Sequence, residues 1–541
     1  MKFSEIRPGE CITSSARTLM LFSMLTVLTA CGGGSGGGNA APPVVGGGSD
    51  WQPGVFLDAD TFIARCEVPR NGINPATNQP YPDVAGTTLE ENNFLRSYSN
   101  DTYLWYSEIV DRDPANSSDP LVYFDLLKTT ATTSSGALKD KFHFTYDSQV
   151  WFDLSQGGVS AGYGAEWALI SAVPPREIVV AYTEPDSPAT DVVLARGATV
   201  LEIDGFDINT GTQAGVAALN AGLFPSSIGE SHDFIVRDLG APDSRLITMT
   251  SEEITNAMVQ NVSVLDTPTG RVGYMTFNYH RAPAEEALFD AINQLNAGQG
   301  IDDLVLDIRY NGGGFLAIAG QLAYMIAGPV QTAGRTFETM QFNDKHPVTN
   351  PITGSPLTPT PFYDETLGFD ALPRGLALPT LGLSRVFVLT GAGTCSASEA
   401  IMNGLRGVDV EVIQIGSTTC GKPYGFYAAD NCSTTYFTIQ FRGVNEKNFG
   451  DYTDGFSPAN TGAGAGIEVP GCSVGDDFTK QLGDATEGRL ATALAYRGGQ
   501  ACPAATGLGS VPGLGKPGAP LDATDGMVLR SPWDSNRIMR R

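Results

Sequence analysis

The second half of the chain alternates between strand-like and helix-like segments, and this alternation constrains the fold most. Short runs of aliphatic and β-branched residues predict strands over 271–278, 304–308, 386–389, 410–415 and 436–441. Amphipathic segments between them predict helices over 283–295, 315–326 and 396–405. Strands and helices that alternate through short turns favour helices layered on a sheet, so the sequence predicts an α/β core.

The rest of the chain has different character in each part. Residues 51–155 carry helical signals and many aromatic residues, which predict a small helical N-terminal domain. Within this domain, Asn100 and Asp101 are N-cap residue types and predict that a helix begins there, and residues 121–127 predict a second short helix. The predicted division of the chain is 51–155 helical, 156–255 rich in β-strands, 256–500 the α/β core with a Pro- and Thr-rich insertion over 330–380, and 501–541 a flexible tail.

The charge balance excludes some classes of partner. The chain has 33 Lys and Arg against 59 Asp and Glu, a formal net charge of −26. A surface this negative repels phosphate backbones and anionic lipid headgroups, so nucleic acid is not an expected partner.

The N-terminus has the features of an export signal. A leader containing Lys2, Arg7 and Arg17 precedes a mostly apolar run over 19–30, which is too short to span a bilayer. This run ends in Leu-Thr-Ala-Cys31, which resembles the bacterial lipoprotein cleavage box. The resemblance implies removal of residues 1–30, lipidation of Cys31, and a Gly-rich tether over 31–50 at the bacterial cell envelope, facing the periplasm or exterior. An ordinary signal peptide with an incidental cysteine is the alternative.

The cysteine count indicates disulfides in an oxidising compartment. Eight cysteines are present; setting aside Cys11 in the leader and Cys31 leaves six, which allow three disulfides in about 15 pairings. Proximity in sequence favours Cys420 with Cys432 and Cys472 with Cys502. The chain has no C-x-x-C or H-E-x-x-H pattern, so no metal site is predicted.

Three segments of the predicted core carry candidate chemistry. The predicted strand over 304–308, which contains Asp307, leads through Arg309 and Asn311 into three glycines, 312–314, whose backbone N–H groups are open to approach. A second segment reads Ser396-Ala-Ser-Glu399 and begins a predicted helix; taken alone, it is equally a helix capping box. The third holds Lys422 after Gly421, and taken alone it is an ordinary lysine on a surface turn.

Together these segments resemble the carboxy-terminal processing peptidases, also called tail-specific or tricorn-like serine peptidases. The family pattern is Asp-Leu-Arg-x-Asn-x-Gly-Gly, then Ser-Ala-Ser-Glu, then Gly-Lys. The resemblance implies a layered ClpP/crotonase-like core, Ser396 as nucleophile in preference to Ser398, Lys422 as its base, and the N–H groups of Gly313 and Ala397 as oxyanion donors. It implies polypeptide substrates, possible guidance by their free C-termini, and no cofactor. Several members have glutamine four residues after the lysine, where this chain has Phe426.

The implied chemistry makes one physical demand on Lys422. An isolated lysine has a pKa of about 10.4, so it is protonated at neutral pH and cannot accept a proton. Acting near neutrality requires the pKa to fall by about three, which is worth about 4 kcal/mol and which burial in an apolar pocket can supply.

The β-rich segment carries a second resemblance. Its Gly162-Tyr163-Gly164, the Ser187-Pro-Ala that opens a helix, and the strand and turn over 199–205 follow the order of a PDZ domain of the bacterial protease type. Such a domain captures a peptide as an added strand, and the resemblance implies that 162–164 binds its terminal carboxylate. Ala198 departs from the usual Asp in a turn. A β-domain that only packs against the core is the alternative.

Two other functional interpretations remain open from the sequence. Of the four histidines, His143, His232, His280 and His346, only His280 lies in the predicted core where it could serve Ser396 as a base. Cys395 is a weaker nucleophile candidate, since export favours a disulfide. The alternative from another class is a non-catalytic peptide-binding lipoprotein that uses the PDZ-like groove and keeps the peptidase fold as a scaffold.

Overall fold

A six-stranded sheet lies at the centre of the protein in the computed structural model, which describes residues 51–505 except 76, 158, 172–173, 226 and 463–465, together with 537–538. The strands lie in the order Val259–Thr267, Gly270–Phe277, Asp303–Asp307, Arg385–Thr390, Glu411–Gly416, Gly471–Ser473. The first pair is antiparallel and the other four pairings are parallel. The predicted core strands are confirmed with shifts of one residue, except 436–441, which is divided between Thr434–Phe437 and Phe441–Val444 outside this sheet.

Helices cover both faces of the central sheet. Ala284–Asn296, Leu316–Thr332 and Ala397–Gly407 bury apolar side chains against one face, and Gly488–Arg497 packs against the other. All five residues of Asp303–Asp307 are buried, as expected for a parallel strand covered on both sides. The predicted α/β class is therefore confirmed, and the three core helices lie where the periodicity placed them.

The parallel pairing fixes where the loops of the site emerge. Asp307 is paired with Leu389, and Thr390 is paired with Gly416, so three neighbouring strands end at nearly the same level. Parallel strands share a direction, so the loops that follow them leave from one edge of the sheet. These are the loops that contain the triple glycine, Ser396 and Lys422.

The N-terminal region contains the predicted short helix near 121–127, whereas the helix predicted to begin at Asn100 and Asp101 was wrong. Its α-helices are Thr88–Thr102, Pro120–Asp125 and Ser148–Gly157. The prediction that a helix begins at Asn100 and Asp101 fails because the helix begins after Thr87, whose side chain accepts a hydrogen bond from Glu90 N–H. The helix ends at Thr102. The carbonyl of the next residue, Tyr103, accepts a hydrogen bond from the side chain of Asn343.

Residues 159–255 form mainly an antiparallel sheet with two helices. The strand order is Arg245–Thr250, Ser231–Arg237, Thr199–Ile203, Glu177–Thr183, Ala165–Ser171. The helices are Pro188–Asp191 and Gln213–Leu223, and a separate apolar cluster fills the interior. Among the described strands, Ala165–Ser171 pairs on one side only, and its Trp167 donates its Nε1–H to the carbonyl of Leu223 at the end of the longer helix.

The predicted insertion packs against the core rather than crossing it freely. Within 330–380 the strands are Thr336–Gln341 and Thr360–Pro361, and Phe362 and Leu378 join the main apolar cluster. Of the predicted tail, only 501–505 and Arg537–Ile538 belong to the described residues, so its predicted flexibility lies outside them, as do Cys31 and the N-terminal signal and tether. In the described part of the chain, every helix is too short or too polar to cross a bilayer.

Three disulfides join distant parts of the chain. Cys472–Cys502 confirms the prediction, whereas Cys420–Cys432 was wrong, because Cys420 pairs with Cys395 and Cys432 pairs with Cys66. The strand Thr434–Phe437 pairs with Phe144–Asp147 of the N-terminal region, which carries Cys432 toward Cys66. Distance along the chain could not predict these pairings, because the sheet decides which loops meet.

Glu184 joins the β-rich segment to the start of the core. Its buried carboxylate accepts hydrogen bonds from Ala257 N–H at 2.9 Å and from Gln260 Nε2 at 2.9 Å. Burial raises the pKa of Glu184 from 4.5 to about 7. A carboxyl group with a raised pKa favours the folded state below its unfolded pKa and loses that contribution as the pH rises through its folded pKa.

We predict that Glu184→Gln makes folding less sensitive to pH. Relative to this variant, the wild type should lose up to about 3 kcal/mol of unfolding free energy between about pH 4.5 and 7, since only the glutamate ionises there. Urea unfolding at pH 5 and pH 8 measures the difference. Glu177→Gln, at an exposed position in the same sheet, is the control; equal pH dependence in both variants would contradict the assignment.

Candidate active site

Ser396 lies where the second of the three loops enters a helix. It directly precedes Ala397–Gly407, with φ 59° and ψ −111°, a strained conformation for a residue with a side chain. The residue is fully buried, and its Oγ has no hydrogen-bond partner within the described structure. Ser398, the other candidate, donates its hydroxyl to the carbonyl of Asn311 at 3.0 Å. The unbonded hydroxyl is therefore that of Ser396.

Glu399 connects the serine loop to the lysine loop. Its carboxylate accepts the N–H of Ser396 at 2.9 Å, the N–H groups of Gly421 and Lys422 at 2.8 Å each, and the hydroxyl of Thr419 at 2.5 Å. Burial raises the pKa of Glu399, and these four donors act in the opposite direction. The capping box expected from the sequence is thus only half formed: Glu399 caps the backbone, while the Ser396 hydroxyl does not.

Lys422 is buried in an aromatic pocket rather than exposed on a turn. Its relative exposure is 0%, and its Nζ lies 4.5 Å from the ring centroid of Phe142 and 4.6 Å from that of Phe426. Removal from water favours a neutral amine, whereas the ring faces attract an ammonium. Phe426, the departure from the family pattern, is therefore in contact with the candidate base.

The hydrogen bond expected between Ser396 and Lys422 is absent, because the Ser396 hydroxyl bonds to none of the described residues. The loops themselves do converge, through the Glu399 carboxylate. Catalytic hydrogen bonds are often long in unliganded enzymes and shorten when substrate binds. The structure therefore brings the backbones of the predicted pair together without joining the reacting atoms.

The glycine turn is held by Asn311. The Asn311 side chain accepts the N–H of Gly313 at 2.9 Å, donates to the carbonyl of Phe277, and lies 3.0 Å from Nδ1 of His280. One predicted oxyanion donor, Gly313, is consequently already bonded. The other, Ala397, is the first residue of its helix, where N–H groups lack acceptors within the helix.

His280 supports this turn instead of acting on the serine. The residue is fully buried, and desolvation lowers the pKa of its imidazole to about 3, so the ring is neutral. Its Nε2 and the Ser396 hydroxyl both lack hydrogen-bond partners within the described residues, so the two are not paired. The serine–histidine alternative therefore has no contact to support it here.

The Asp-x-Arg part of the first motif is structural. The Arg309 guanidinium is fully buried and binds Asp307 at 2.9 Å, Glu487 at 2.7 Å and Asp476 at 2.8 Å. Arg196, from the β-rich segment, also binds Asp476, at 2.6 Å. Removing one member of a buried ion cluster leaves the others uncompensated, so this network holds the base of the glycine turn in place.

The other predicted peptide-binding residues lie in the β-rich segment. The carbonyl of Tyr163 accepts the N–H of Ala189, and the carbonyl of Gly164 accepts the N–H of Glu184. Gly164 has φ +72°, and a Cβ there would lie 2.4 Å from Ser187. Gly162 is in a strand that pairs with Glu252–Thr255. The predicted carboxylate loop is thus a tight turn against a short helix.

Sequence reasoning missed two residues of the site. Glu399 was interpreted only as a capping residue, although a glutamate three positions after a serine in a buried turn is also placed to bind a neighbouring loop. Phe142 gave no signal, because the N-terminal region showed no catalytic pattern and only the fold brings its ring to Lys422.

Comparisons with known proteins relate the chain to peptidases. Residues 271–426 match the family model Peptidase family S41. The chain is 26% identical over 206 residues to a carboxyl-terminal-processing protease of Picosynechococcus sp., covering 38% of this chain and 47% of that one. It is 27% identical over 164 residues to a chloroplastic C-terminal processing peptidase of Tetradesmus obliquus, covering 28% and 34%. The chain thus spans less than half the length of these relatives.

A solved structure shares the fold. A crystal structure described as that of an S41 protease from Bacteroides fragilis aligns with a TM-score of 0.55 and 20% identity, covering 77% of this chain and 98% of that one. The chain therefore shares the fold of that structure, matches the S41 peptidase family model over residues 271–426, and is similar in sequence to carboxyl-terminal processing proteases.

We predict that Glu399→Gln disrupts the site while keeping its volume. The new amide N–H₂ would face backbone donors, and each buried donor left unsatisfied is worth roughly 1–3 kcal/mol. Urea unfolding should show that loss, and labelling by a serine-directed acylating probe should slow at least ten-fold. Glu411→Gln, exposed on a strand of the same sheet, should leave both unchanged; wild-type labelling in Glu399→Gln would contradict the role of the carboxylate.

Proposed function

We propose that the chain is a serine endopeptidase that cleaves polypeptides through Ser396 and Lys422. One observation carries the proposal: two fully buried residues, a serine with an unbonded hydroxyl and a lysine in an aromatic pocket, lie on loops joined by one carboxylate. The S41 match covers both residues.

The reaction begins with proton transfer from the Ser396 hydroxyl to the neutral Nζ of Lys422. The serine oxygen then attacks the scissile carbonyl carbon, and the negative charge that develops on the carbonyl oxygen is stabilised by backbone N–H groups of Ala397 and the glycine turn. Gly313 can contribute only after its N–H leaves the Asn311 side chain, so substrate binding must shift that turn. Lys422 returns the proton to the leaving amine.

The acyl-enzyme is then hydrolysed by water. Lys422, neutral again, takes a proton from the water, which attacks the ester carbonyl. The bond to Ser396 then breaks, Lys422 returns the proton to the serine oxygen, and the new carboxylate product is released. The residues assigned to these steps supply the nucleophile, base and oxyanion donors, so the proposal requires no cofactor.

The β-rich segment is proposed as a PDZ-like domain that selects polypeptides by their C-termini. The strand Ala165–Ser171 pairs on one side only among the described strands, so its other edge could take an added strand, and its Trp167 donates to the carbonyl of Leu223 at the end of the helix Gln213–Leu223. The tight turn over 162–164 lies at the start of this edge, where a terminal carboxylate would bind.

The proposed location is the bacterial cell envelope. The basic leader, short apolar run and Leu-Thr-Ala-Cys31 support lipidation at Cys31, and the three disulfides suit an oxidising compartment. A lipid on residue 31 and the following glycine-rich tether would hold the peptidase near a membrane surface.

We predict that Ser396→Ala and Lys422→Ala each abolish cleavage of unfolded polypeptides while leaving the fold intact. The first removes the nucleophile and the second removes the base, so each should reduce kcat by at least 1000-fold. Measurement of cleavage by mass spectrometry, with thermal unfolding as the folding check, tests both. Ser398→Ala should still be labelled by an acylating probe, because its hydroxyl is bonded to Asn311.

Two results would redirect the proposal. Equal cleavage by wild type and Lys422→Ala would remove Lys422 as the base. If neither wild type nor Ser396→Ala is labelled, yet the protein binds peptides through their C-termini, the non-catalytic binding lipoprotein becomes the better interpretation.

A further inference from the structure

We propose that the Cys395–Cys420 disulfide positions the catalytic pair, so that activity requires this bond to be formed. The inference rests on the proposed function and adds a redox requirement to it. Cys395 directly precedes the nucleophile, and Cys420 lies two residues before the base. The bond holds their Cα atoms 5.2 Å apart although they are 25 residues apart in sequence.

The disulfide restrains the strained backbone at Ser396. Ser396 has a positive φ, and such a conformation persists only where the surrounding structure holds it. On the other loop, Gly421 has φ +81°, and a Cβ there would lie 2.1 Å from the carbonyl of Thr453. The bond therefore links the strained turn at Ser396 to a turn at Gly421 that only glycine can adopt, immediately beside the residues that must meet.

Hydrogen bonds hold the same loops at different points. Cys420 N–H donates to the carbonyl of Thr394 at 3.0 Å, and the Glu399 carboxylate binds N–H groups on both loops. Those contacts fix the backbones of Ser396 and Lys422, whereas the disulfide fixes the residues that precede them. Without the covalent bond, the loops can move apart by a fraction of an ångström, which is enough to slow proton transfer between Ser396 and Lys422.

The disulfide also supports the pocket around Lys422. Cys395 packs in a buried cluster with Tyr103, Phe142 and Tyr424, and Cys420 packs at its border. The ring of Phe142 covers Lys422, and the neighbouring Lys141 donates its Nζ to the carbonyl of Cys420 at 3.2 Å. Loss of the bond should therefore loosen the aromatic cover that keeps water from the base.

The bond is accessible to a dithiol reductant from one side. Cys395 is buried and Cys420 is half-buried, so a thiolate attacks Cys420 Sγ and releases the Cys395 thiolate. The second thiol of the reductant then displaces Cys420, closing the reductant into a cyclic disulfide. Two electrons and two protons pass to the protein, and the reductant is oxidised.

The test compares Cys395→Ala/Cys420→Ala with Cys472→Ala/Cys502→Ala, which lacks a disulfide distant in sequence from both loops. We expect the first variant to lose at least ten-fold in kcat with KM within two-fold, because positioning of the reacting groups is affected more than binding. Dithiothreitol should lower kcat in wild type and in the second variant and leave the first unchanged. Wild-type kcat in the first variant would overturn the proposal.

A measurement independent of catalysis separates this inference from the proposed function. Amide hydrogen exchange over 419–423 should be at least ten-fold faster in Cys395→Ala/Cys420→Ala, or in wild type reduced while folded, than in oxidised wild type. Unchanged exchange would overturn the positioning role even if the enzyme is active. If wild type neither cleaves nor is labelled, the proposed function fails, and faster exchange would still support the role of the bond in joining the loops.

A second and independent observation concerns the C-terminal segment. Arg537–Ile538 form a short strand that pairs in parallel with Gly314–Phe315, directly after the predicted oxyanion turn. The same strand contacts Tyr424–Gly425, two residues beyond Lys422. We infer that this segment of the chain occupies the substrate cleft and competes with other polypeptides for it.

Peptidases commonly bind their substrates in an extended conformation. A substrate backbone adds to a strand edge beside the nucleophile through its own N–H and C=O groups. Arg537 and Ile538 lie against both Gly314–Phe315 and Tyr424–Gly425, where an extended substrate would have to lie. Because it belongs to the same chain, its effective concentration at the cleft is high.

Removal of residues 531–541 should lower KM for a polypeptide substrate at least three-fold, with kcat within two-fold. Removal of 539–541 alone, which keeps the paired residues, should leave KM unchanged. A synthetic peptide of residues 531–541 should bind the shortened Ser396→Ala protein by fluorescence anisotropy, a readout that needs no catalysis. Unchanged KM after the longer deletion, or absence of peptide binding, would overturn the inference.

Discussion

The parallel pairing of the central strands is the constraint on which the site depends. Because Asp303–Asp307, Arg385–Thr390 and Glu411–Gly416 run in one direction, their carboxyl ends deliver three loops to one edge of the sheet. Residues separated by more than one hundred positions, such as Asn311 and Lys422, thereby reach the same small region. Both faces of the sheet are covered by helices, which keeps that edge rigid enough to hold strained turns.

Buried carboxylates hold the loops of the site in two places, and their partners differ between the two. Around Arg309, three carboxylates surround the guanidinium beneath the glycine turn, and Arg196 shares one of them, Asp476. Around Glu399, a single carboxylate is held by neutral N–H and O–H donors, and those donors belong to the two loops that must meet. Lys422 itself is fully buried, and its removal from water favours the neutral amine that a lysine base needs.

Several predictions from the sequence held because they depend on local periodicity. The core helices and strands followed from the spacing of apolar residues, and only the segment 436–441 was divided differently. The helix predicted to begin at Asn100 and Asp101 was wrong, because these residues lie in the last turn of a helix. Capping preferences could not show that the side chain of Asn343, far along the chain, would bind the carbonyl of Tyr103 where that helix ends. The Cys420–Cys432 pairing failed for a related reason, since proximity in sequence says little about which loops a sheet brings together.

The sequence alone determined the class of the fold and the residue types of the candidate site. Strand and helix periodicities and the three ordered motifs can each be recognised within a short segment of the chain. Tertiary structure alone decided what surrounds those residues: the ring of Phe142 over Lys422, the bond from Cys395 to Cys420, and the Asn311 side chain on Gly313. These contacts join segments distant in sequence, and their existence depends on strand order and on close packing, which no local pattern specifies.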